Sequence, residues 1–250
     1  MFIKSVAIHN MNFPKRELYP FNLEVFRKTE RLDFRKEVSF FVGENGTGKS
    51  TLLEAIGRKF GLPVWGGEKI HTVHRNPFAT RLKDFISLEA VRDSGNIKQG
   101  FIFRAENFFN YASDVDDMIM TDPGLLKYYG GESLQKRSHG EAFLAFLENR
   151  CRIEGLYLLD EPEAALSPSN QVTFLKALWR IVKNGSSQFI ISSHSPIILS
   201  YPEAQILSFD SIPVKEISYE QTRSYRFYRN FMNDRTSCLN AIMEEEKKPV

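Results

Sequence analysis

The stretch "VSFFVGENGTGKSTLLEAIG" (Val38–Gly57) decides the fold. It opens with an apolar run that ends at Gly43, the pattern of a buried strand. "STLLEAIGRKFG" then carries apolar residues at helical spacing, and Gly61 supplies a stop. Between the two, "GENGTGKST" (Gly43–Thr51) fulfils G-x-x-x-x-G-K-[ST] in full, in the strand–loop–helix context that gives the pattern meaning. Gly43, Gly46 and Gly48 permit backbone conformations that aim N–H groups at phosphate oxygens. Glu44, Asn45, Thr47 and Thr51 complete the same cradle. The helix N-terminus adds the positive end of its dipole. Lys49 is placed to reach β- and γ-phosphates, and the Ser50 hydroxyl to ligate Mg²⁺. An ordinary glycine-rich turn is the bland alternative, and the complete match makes it the weaker one.

The surrounding chain sets limits. It has 250 residues and a net charge of +2, so no global field points to nucleic acid or membrane. Cys151 and Cys238 are too few for a disulfide framework, which favours a reducing, cytoplasmic home. "MFIKSVAIHN" does not read as a signal peptide, because Lys4 and His9 interrupt its apolar run. No apolar stretch approaches the ~20 residues of a membrane span.

Strand patterns recur at "FIKSVAIHN", "GFIFRAE", "GLYLLDEPE", "SQFIISSHSP", "AQILSFD" and "VKEISY". Helical patterns fall at "NFFNYASDVDDMIM", at Glu141–Arg150, at "PSNQVTFLKALWRIVKNG" and at "QTRSYRFYRNFMN", which reads as the end of the fold. Residues 62–100 are mixed and give no clear order. The alternation implies an α/β fold with a mostly parallel central sheet, helices on both faces and an antiparallel layer from the N-terminal strands. One domain over 1–250 is expected, with an irregular or helical insertion at about 62–137.

Chemistry gathers at two more strand ends. "LYLLDEPE" delivers Asp160 and Glu161 to the carboxyl edge of a sheet, where open α/β folds bind ligands. There Asp160 can hold Mg²⁺ through water and Glu161 can orient or deprotonate an attacking water. "FIISSHSP" brings His194 to the same edge, where a neutral imidazole can donate to a γ-phosphate. In "QKRSHGEAFLAF", Ser138 and Glu141 have capping-box spacing ahead of a helical stripe, with Gly140 between them. His71 and His74 lie in a basic, irregular stretch and read as surface residues rather than metal ligands.

In this order the motifs resemble those of the ABC-type P-loop ATPase superfamily, and more narrowly its soluble branch of SMC, recombination and repair ATPases. Gly43–Thr51 are similar to Walker A, Arg137–Glu141 to the signature loop and Asp160–Glu161 to Walker B with its catalytic glutamate. Ala165–Pro168 resemble the D-loop and His194 the switch histidine. The resemblance implies ATP and Mg²⁺ as cofactors, ATP hydrolysis with Lys49, Glu161 and His194 as catalytic groups, and a head-to-tail homodimer that forms on ATP binding. Ser138, Gly140 and Glu141 would then cap the γ-phosphate held by the other subunit.

The chain departs from the family in places. It has Arg-Ser-His-Gly-Glu where transporter subunits carry Leu-Ser-Gly-Gly-Gln. Residues 52–136 contain no heptads, so the long coiled coil of SMC-type proteins is missing. The Q-loop role falls to Glu106 as a third metal-side residue, with Gln99 the weaker candidate. Phe13, Tyr19 and Phe21 all qualify as the aromatic against adenine. An unidentified effector protein, DNA or RNA is a possible partner: Lys69, Arg75, Arg81, Lys83, Arg92, Lys98 and Arg104 outnumber Asp84, Glu89 and Asp93. A solvated basic face is the plainer reading there, and for Arg223, Arg226 and Arg229. The motor subunit of an ABC transporter, an ATP-gated regulator of a defence effector and a non-hydrolysing scaffold are the competing readings. Glu161 and His194 argue against the last.

Overall fold

The structure is a computed structural model that describes residues 1–65, 78–91, 99–105, 108–185 and 187–245. Its strands, in chain order, are β1 (Ile3–Ile8), β2 (Arg31–Asp33), β3 (Val38–Val42), β4 (Val64–Trp65), β5 (Ile86–Ala90), β6 (Gly100–Arg104), β7 (Leu156–Asp160), β8 (Gln188–Ser192), β9 (Gln205–Ser208) and β10 (Lys215–Glu216). Its helices are α1 (Glu24–Lys28), α2 (Lys49–Phe60), α3 (Phe108–Thr121), α4 (His139–Arg150), α5 (Pro168–Asn184), α6 (Pro196–Leu199), α7 (Arg223–Asn233) and α8 (Arg235–Glu245).

Among the described residues the main sheet runs β10-β9-β3-β8-β7-β6-β4, parallel except for β10. A smaller antiparallel sheet, β2-β1-β5, forms the N-terminal layer. β3, β7 and β8 are buried along their whole length. That explains their unbroken apolar runs, since a parallel strand covered on both faces has no wet side. Successive residues still divide by face. Phe40, Phe101, Phe103, Tyr157, Leu159, Phe189 and Ile191 join one apolar cluster, and Phe41, Ile102, Leu158 and Ile190 the other.

The first cluster is roofed by α3, α4 and α5 through Phe108, Phe143, Phe146 and Phe174. The second is closed by α2 and the N-terminal layer through Leu52, Ile56, Phe21, Phe26 and Val6. α2 sits very close to the sheet because of Gly57. A Cβ there would lie 2.3 Å from Ile102 and 2.7 Å from Leu158. α2 ends as its sequence suggests, with Gly61 at φ 89° and its N–H turned back to the carbonyls of Gly57 and Arg58.

Three features differ from the sequence reading. β4 and β5 lie in the stretch whose order the sequence does not give, and each finds its strand form through pairing with distant partners, β6 and β1. The expected strand over "VKEISY" shrinks to Lys215–Glu216, which among the described residues pairs with β9 alone. The chain does not end its fold at Asn233, because α8 follows after Asp234, whose carboxylate accepts from Ser237 N–H at 2.9 Å.

Candidate functional site

The carboxyl ends of β3, β7 and β8 lie side by side, so the loops that leave them converge. The register pairs Asp160 with Ser192 and Phe41 with Ser192 in adjacent ladders. Three motifs far apart in sequence therefore meet through strand order alone.

The loop after β3 uses its glycines as backbone elements. Gly43, Gly46 and Gly48 have φ of 147°, 80° and 101°. Gly46 has nothing within 4 Å of a Cβ position, so its need for glycine is conformational. Gly48 has a second reason, since a Cβ would lie 2.7 Å from the Phe26 ring. The loop is pinned from outside. Glu44 N–H donates to Asp210 Oδ1 at 2.8 Å, Thr47 Oγ1 donates to Glu44 O at 2.8 Å, and Arg223 Nη1 lies 3.0 Å from Glu44 Oε1.

Lys49 is buried, and its Nζ donates to the carbonyls of Gly43 and Glu44 at 2.7 and 2.9 Å. Burial pushes its ammonium below the usual value, while the charges of Glu161, Asp160, Asp210 and Glu44 work against that shift. Ser50 Oγ donates to Asp160 Oδ1 at 2.9 Å. Burial raises the Asp160 carboxyl, opposed by the Ser50 hydrogen bond and by Arg104.

Glu161 takes φ 49°, a left-handed conformation that costs a non-glycine residue about 1–3 kcal/mol. Its N–H donates to Ser192 O at 2.9 Å, which holds the turn against β8. Its Oε1 lies 3.6 Å from His194 Nε2. That nitrogen is buried and has no hydrogen-bond partner among the described residues. Burial and the charge of Lys49 lower the His194 pKa, so the ring is neutral near pH 7.

Glu163 belongs to the site and is missed by the sequence reading. Its carboxylate accepts from Ser193 Oγ at 3.0 Å and from the N–H groups of His194 and Ser195 at 2.5 and 3.2 Å. Burial raises its pKa, and those bonds pull it back. The only sequence signal is a second carboxylate two residues beyond Glu161 in "DEPEAA", which resembles any solvated turn.

Of the three aromatic candidates, Phe13 and Phe21 are core residues with ring centroids 4.8 Å apart. Tyr19 is exposed, hydrogen-bonds the Thr51 hydroxyl, and lines a cleft of about 240 Å³ with Asn45, Gly46, Lys49, Ser50 and Glu161. Gln99 lies at the amino end of β6, away from the convergent carboxyl ends, and its carbonyl accepts from Leu156 N–H at 3.1 Å. That position removes it as a site residue. Glu106, His71, His74, Lys69, Arg75, Arg92 and Lys98 lie outside the described residues. Arg104 is not a free basic group, because it pairs with Glu54 of α2. Arg81 pairs with Asp84 at 3.2 Å, and Arg223 with Glu44 as above.

Ser138, Gly140 and Glu141 stand apart. The Glu141 carboxylate accepts from Ser138 N–H at 3.1 Å and from Ser138 Oγ at 2.6 Å, closing the capping box. The Ser138 contacts hold the Glu141 carboxyl below the usual range. Gly140 is buried, and a Cβ there would lie 2.4 Å from Asn170 Nδ2 and 3.4 Å from Ala165 O. Its small size thus also serves packing within the chain. These residues line neither of the clefts beside the phosphate loop.

The donor set suits Mg²⁺ held together with nucleotide. Among the described residues no cluster of three His, Cys, Asp or Glu is arranged to hold a metal. One hydroxyl and one carboxylate at hydrogen-bond distance, Ser50 and Asp160, match an ion that keeps waters and takes phosphate oxygens for its remaining ligands.

Two stretches of the chain match ATPase family models. A family model described as "AAA ATPase domain" matches residues 135–199, and one described as "AAA domain" matches residues 19–60. The tungstate uptake system ATP-binding protein TupC of Campylobacter jejuni is 25% identical over 82% of this chain and 66% of its own length. The DNA replication and repair protein RecF of Leptospira interrogans is 24% identical over 97% of this chain and 65% of its own length. The chain thus spans less than two thirds of either relative. The solved SMC head domain from Thermotoga maritima covers 87% of this chain and 98% of itself at 16% identity, with a TM-score of 0.45.

Proposed function

For a chain of the ABC-type P-loop ATPase superfamily, with ATP binding and nucleotide hydrolysis as its general activity, we propose an ATP-driven switch between a monomer and a head-to-tail homodimer. The carrying observation is the grouping of Ser50, Asp160, Glu161 and His194 Nε2 around one phosphate loop.

In this reading the N–H groups of Gly46–Lys49 and the α2 N-terminus hold the phosphates, and Lys49 leaves its two carbonyls for the β/γ-phosphates. The Tyr19 ring lies under the adenine. Ser50 and Asp160 hold Mg²⁺, which when bound screens phosphate charge. Glu161 orients a water and takes its proton. The 3.6 Å gap to His194 is too long for a hydrogen bond, and the neutral ring's buried Nε2 is free to meet the γ-phosphate or that water. Glu163 acts through His194 by fixing its backbone, as a positioning residue.

The exposed Ser138–Glu141 pair supports a role toward a second copy. It stands at a helix N-terminus and lines neither cleft beside the phosphate loop of its own chain, with the Ser138 hydroxyl and N–H held by the Glu141 carboxylate. In Ser138→Arg combined with Glu161→Gln, each subunit should still bind ATP, yet remain a monomer on a sizing column with ATP and Mg²⁺, where Glu161→Gln alone forms a dimer. A dimer from the double variant would reduce the motif to a helix cap.

The process that the switch serves follows from its partner. A nucleic-acid role fits the RecF likeness, since that relative is a DNA replication and repair protein. The TupC likeness supports the alternative of an ATP-binding subunit of a transporter. Turnover stimulated by DNA or RNA favours the first, and co-purification with a membrane protein the second.

A further inference from the structure

His194 stands between two serines, and both serine hydroxyls are taken by the segment that follows Glu161. Ser193 Oγ donates to the Glu163 carboxylate at 3.0 Å. Ser195 Oγ donates to Gln171 Oε1 at 2.5 Å and accepts from the N–H groups of Ile197 and Ile198 at 3.2 and 3.3 Å. Gln171 lies in the first turn of α5 and is buried, as are Ser193 and Ser195. The other end of its amide is used as well, since Nε2 donates to Leu166 O at 3.2 Å.

These bonds close a frame. Glu161 N–H donates to Ser192 O, which fastens the start of the Pro162–Ala165 turn to β8. Gln171 fastens the far end of that turn through Leu166. Between the two, Glu163 reaches across to the N–H groups of His194 and Ser195. The 3.6 Å separation of Glu161 from His194 Nε2 is spanned by this frame. A glutamine suits its place there, because one planar group both accepts and donates. An apolar side chain of similar length would fill the space. It would leave the Leu166 carbonyl without that donor and the Ser195 hydroxyl without that acceptor, both in buried surroundings.

We infer that Gln171 is a positioning residue for ATP hydrolysis, which through Ser195 and Leu166 sets where the His194 ring stands relative to Glu161. The inference rests on the reading of His194 above as the group that meets the γ-phosphate or the attacking water. Glu163 does not suffice for this task, because it belongs to the turn and moves with it. Gln171 belongs to α5, whose Phe174, Ala177 and Leu178 are set in the apolar core. It therefore refers both the turn and the histidine to a fixed element. Displacing a reacting group by about 1 Å can cost about a hundredfold in rate, so the effect falls on turnover. Affinity is left to the phosphate loop, whose two clefts Gln171 does not line.

A double-variant cycle on steady-state ATPase kinetics tests this. Gln171→Met keeps the length of the side chain and removes both hydrogen bonds. It should lower kcat about ten- to a hundredfold, with KM for ATP within about twofold of wild type. In a His194→Ala background the same substitution should lower kcat by less than about twofold, because the group it positions is gone. Ser195→Ala removes the hydroxyl and keeps the N–H that Glu163 holds. It should give the same pattern, and it decides the matter if Gln171→Met does not fold. Losses in kcat that multiply with that of His194→Ala, or a lowered Tm with kcat unchanged, would overturn the inference and make Gln171 a core staple. If His194→Ala itself turns over like wild type, the reading of His194 fails and this inference falls with it.

Discussion

Glu163 binds the backbone of His194 while Glu161, two residues earlier, faces the ring of that histidine at 3.6 Å. A single residue, Pro162, thus separates a carboxylate that fixes the histidine's main chain from one that faces its side chain. The two glutamates differ in environment accordingly, Glu163 being enclosed and Glu161 half exposed.

Glu161→Gln keeps the shape of the side chain and removes its basicity. Steady-state ATPase measurements should show turnover lower by about 10²–10⁴-fold, the scale of a lost general base. Nucleotide affinity should stay within a few-fold of wild type. Wild-type turnover would exclude Glu161 as the water-activating group.

Lys49→Ala removes the cation buried among Glu161, Asp160, Asp210 and Glu44. ATP affinity by isothermal titration should fall by at least about a hundredfold, as expected for a charge-assisted phosphate contact. An unchanged affinity would contradict the phosphate-loop assignment.

His194 has a folded-state pKa below that of a free histidine. The unfolded chain therefore binds the proton more readily, and the folded state loses stability as pH falls through the window just below about 6.5. Thermal melts at pH 7.5 and 5.5 should show a smaller acid-side drop for His194→Gln than for wild type. Asp160 and Glu163, whose pKa values are raised, act in the opposite sense in both proteins and cancel in the comparison. Equal drops would place the ring in a solvated setting.

Tyr19→Ala should raise KM for ATP about tenfold with kcat little changed, because a base-stacking ring contributes about 1–3 kcal/mol. Tyr19→Phe, which keeps the ring and loses the Thr51 hydrogen bond, should restore most of the affinity. If Phe behaves like Ala, the hydroxyl rather than the ring is what matters.

Much of this was legible in the sequence, because strands buried on both faces write long apolar runs and because a tight loop with left-handed backbone turns demands glycines at fixed spacing. Val38–Val42, Leu156–Asp160 and Gln188–Ser192 follow from the first rule, and Gly43–Thr51 from the second. β4 and β5 were illegible because two to five residues of mixed character become strands only against a distant partner. Glu163 and Asp210 were hidden for a related reason. Each is an ordinary turn carboxylate until the fold sets it against backbone N–H groups of another segment. Tyr19 could be separated from Phe13 and Phe21 only by burial, to which composition is blind.

Gly57 lies two turns down α2 from Ser50 and touches no phosphate, yet it acts as a spacer gauge. Because a methyl there would meet Ile102 at 2.3 Å, the height of α2 above the sheet is set by a missing side chain. The same height fixes where Ser50, on α2, stands relative to Asp160, at the tip of a strand beneath it. The calibration of that hydroxyl–carboxylate gap is thus built into the packed interior, where solvent and ligand have no hand in it.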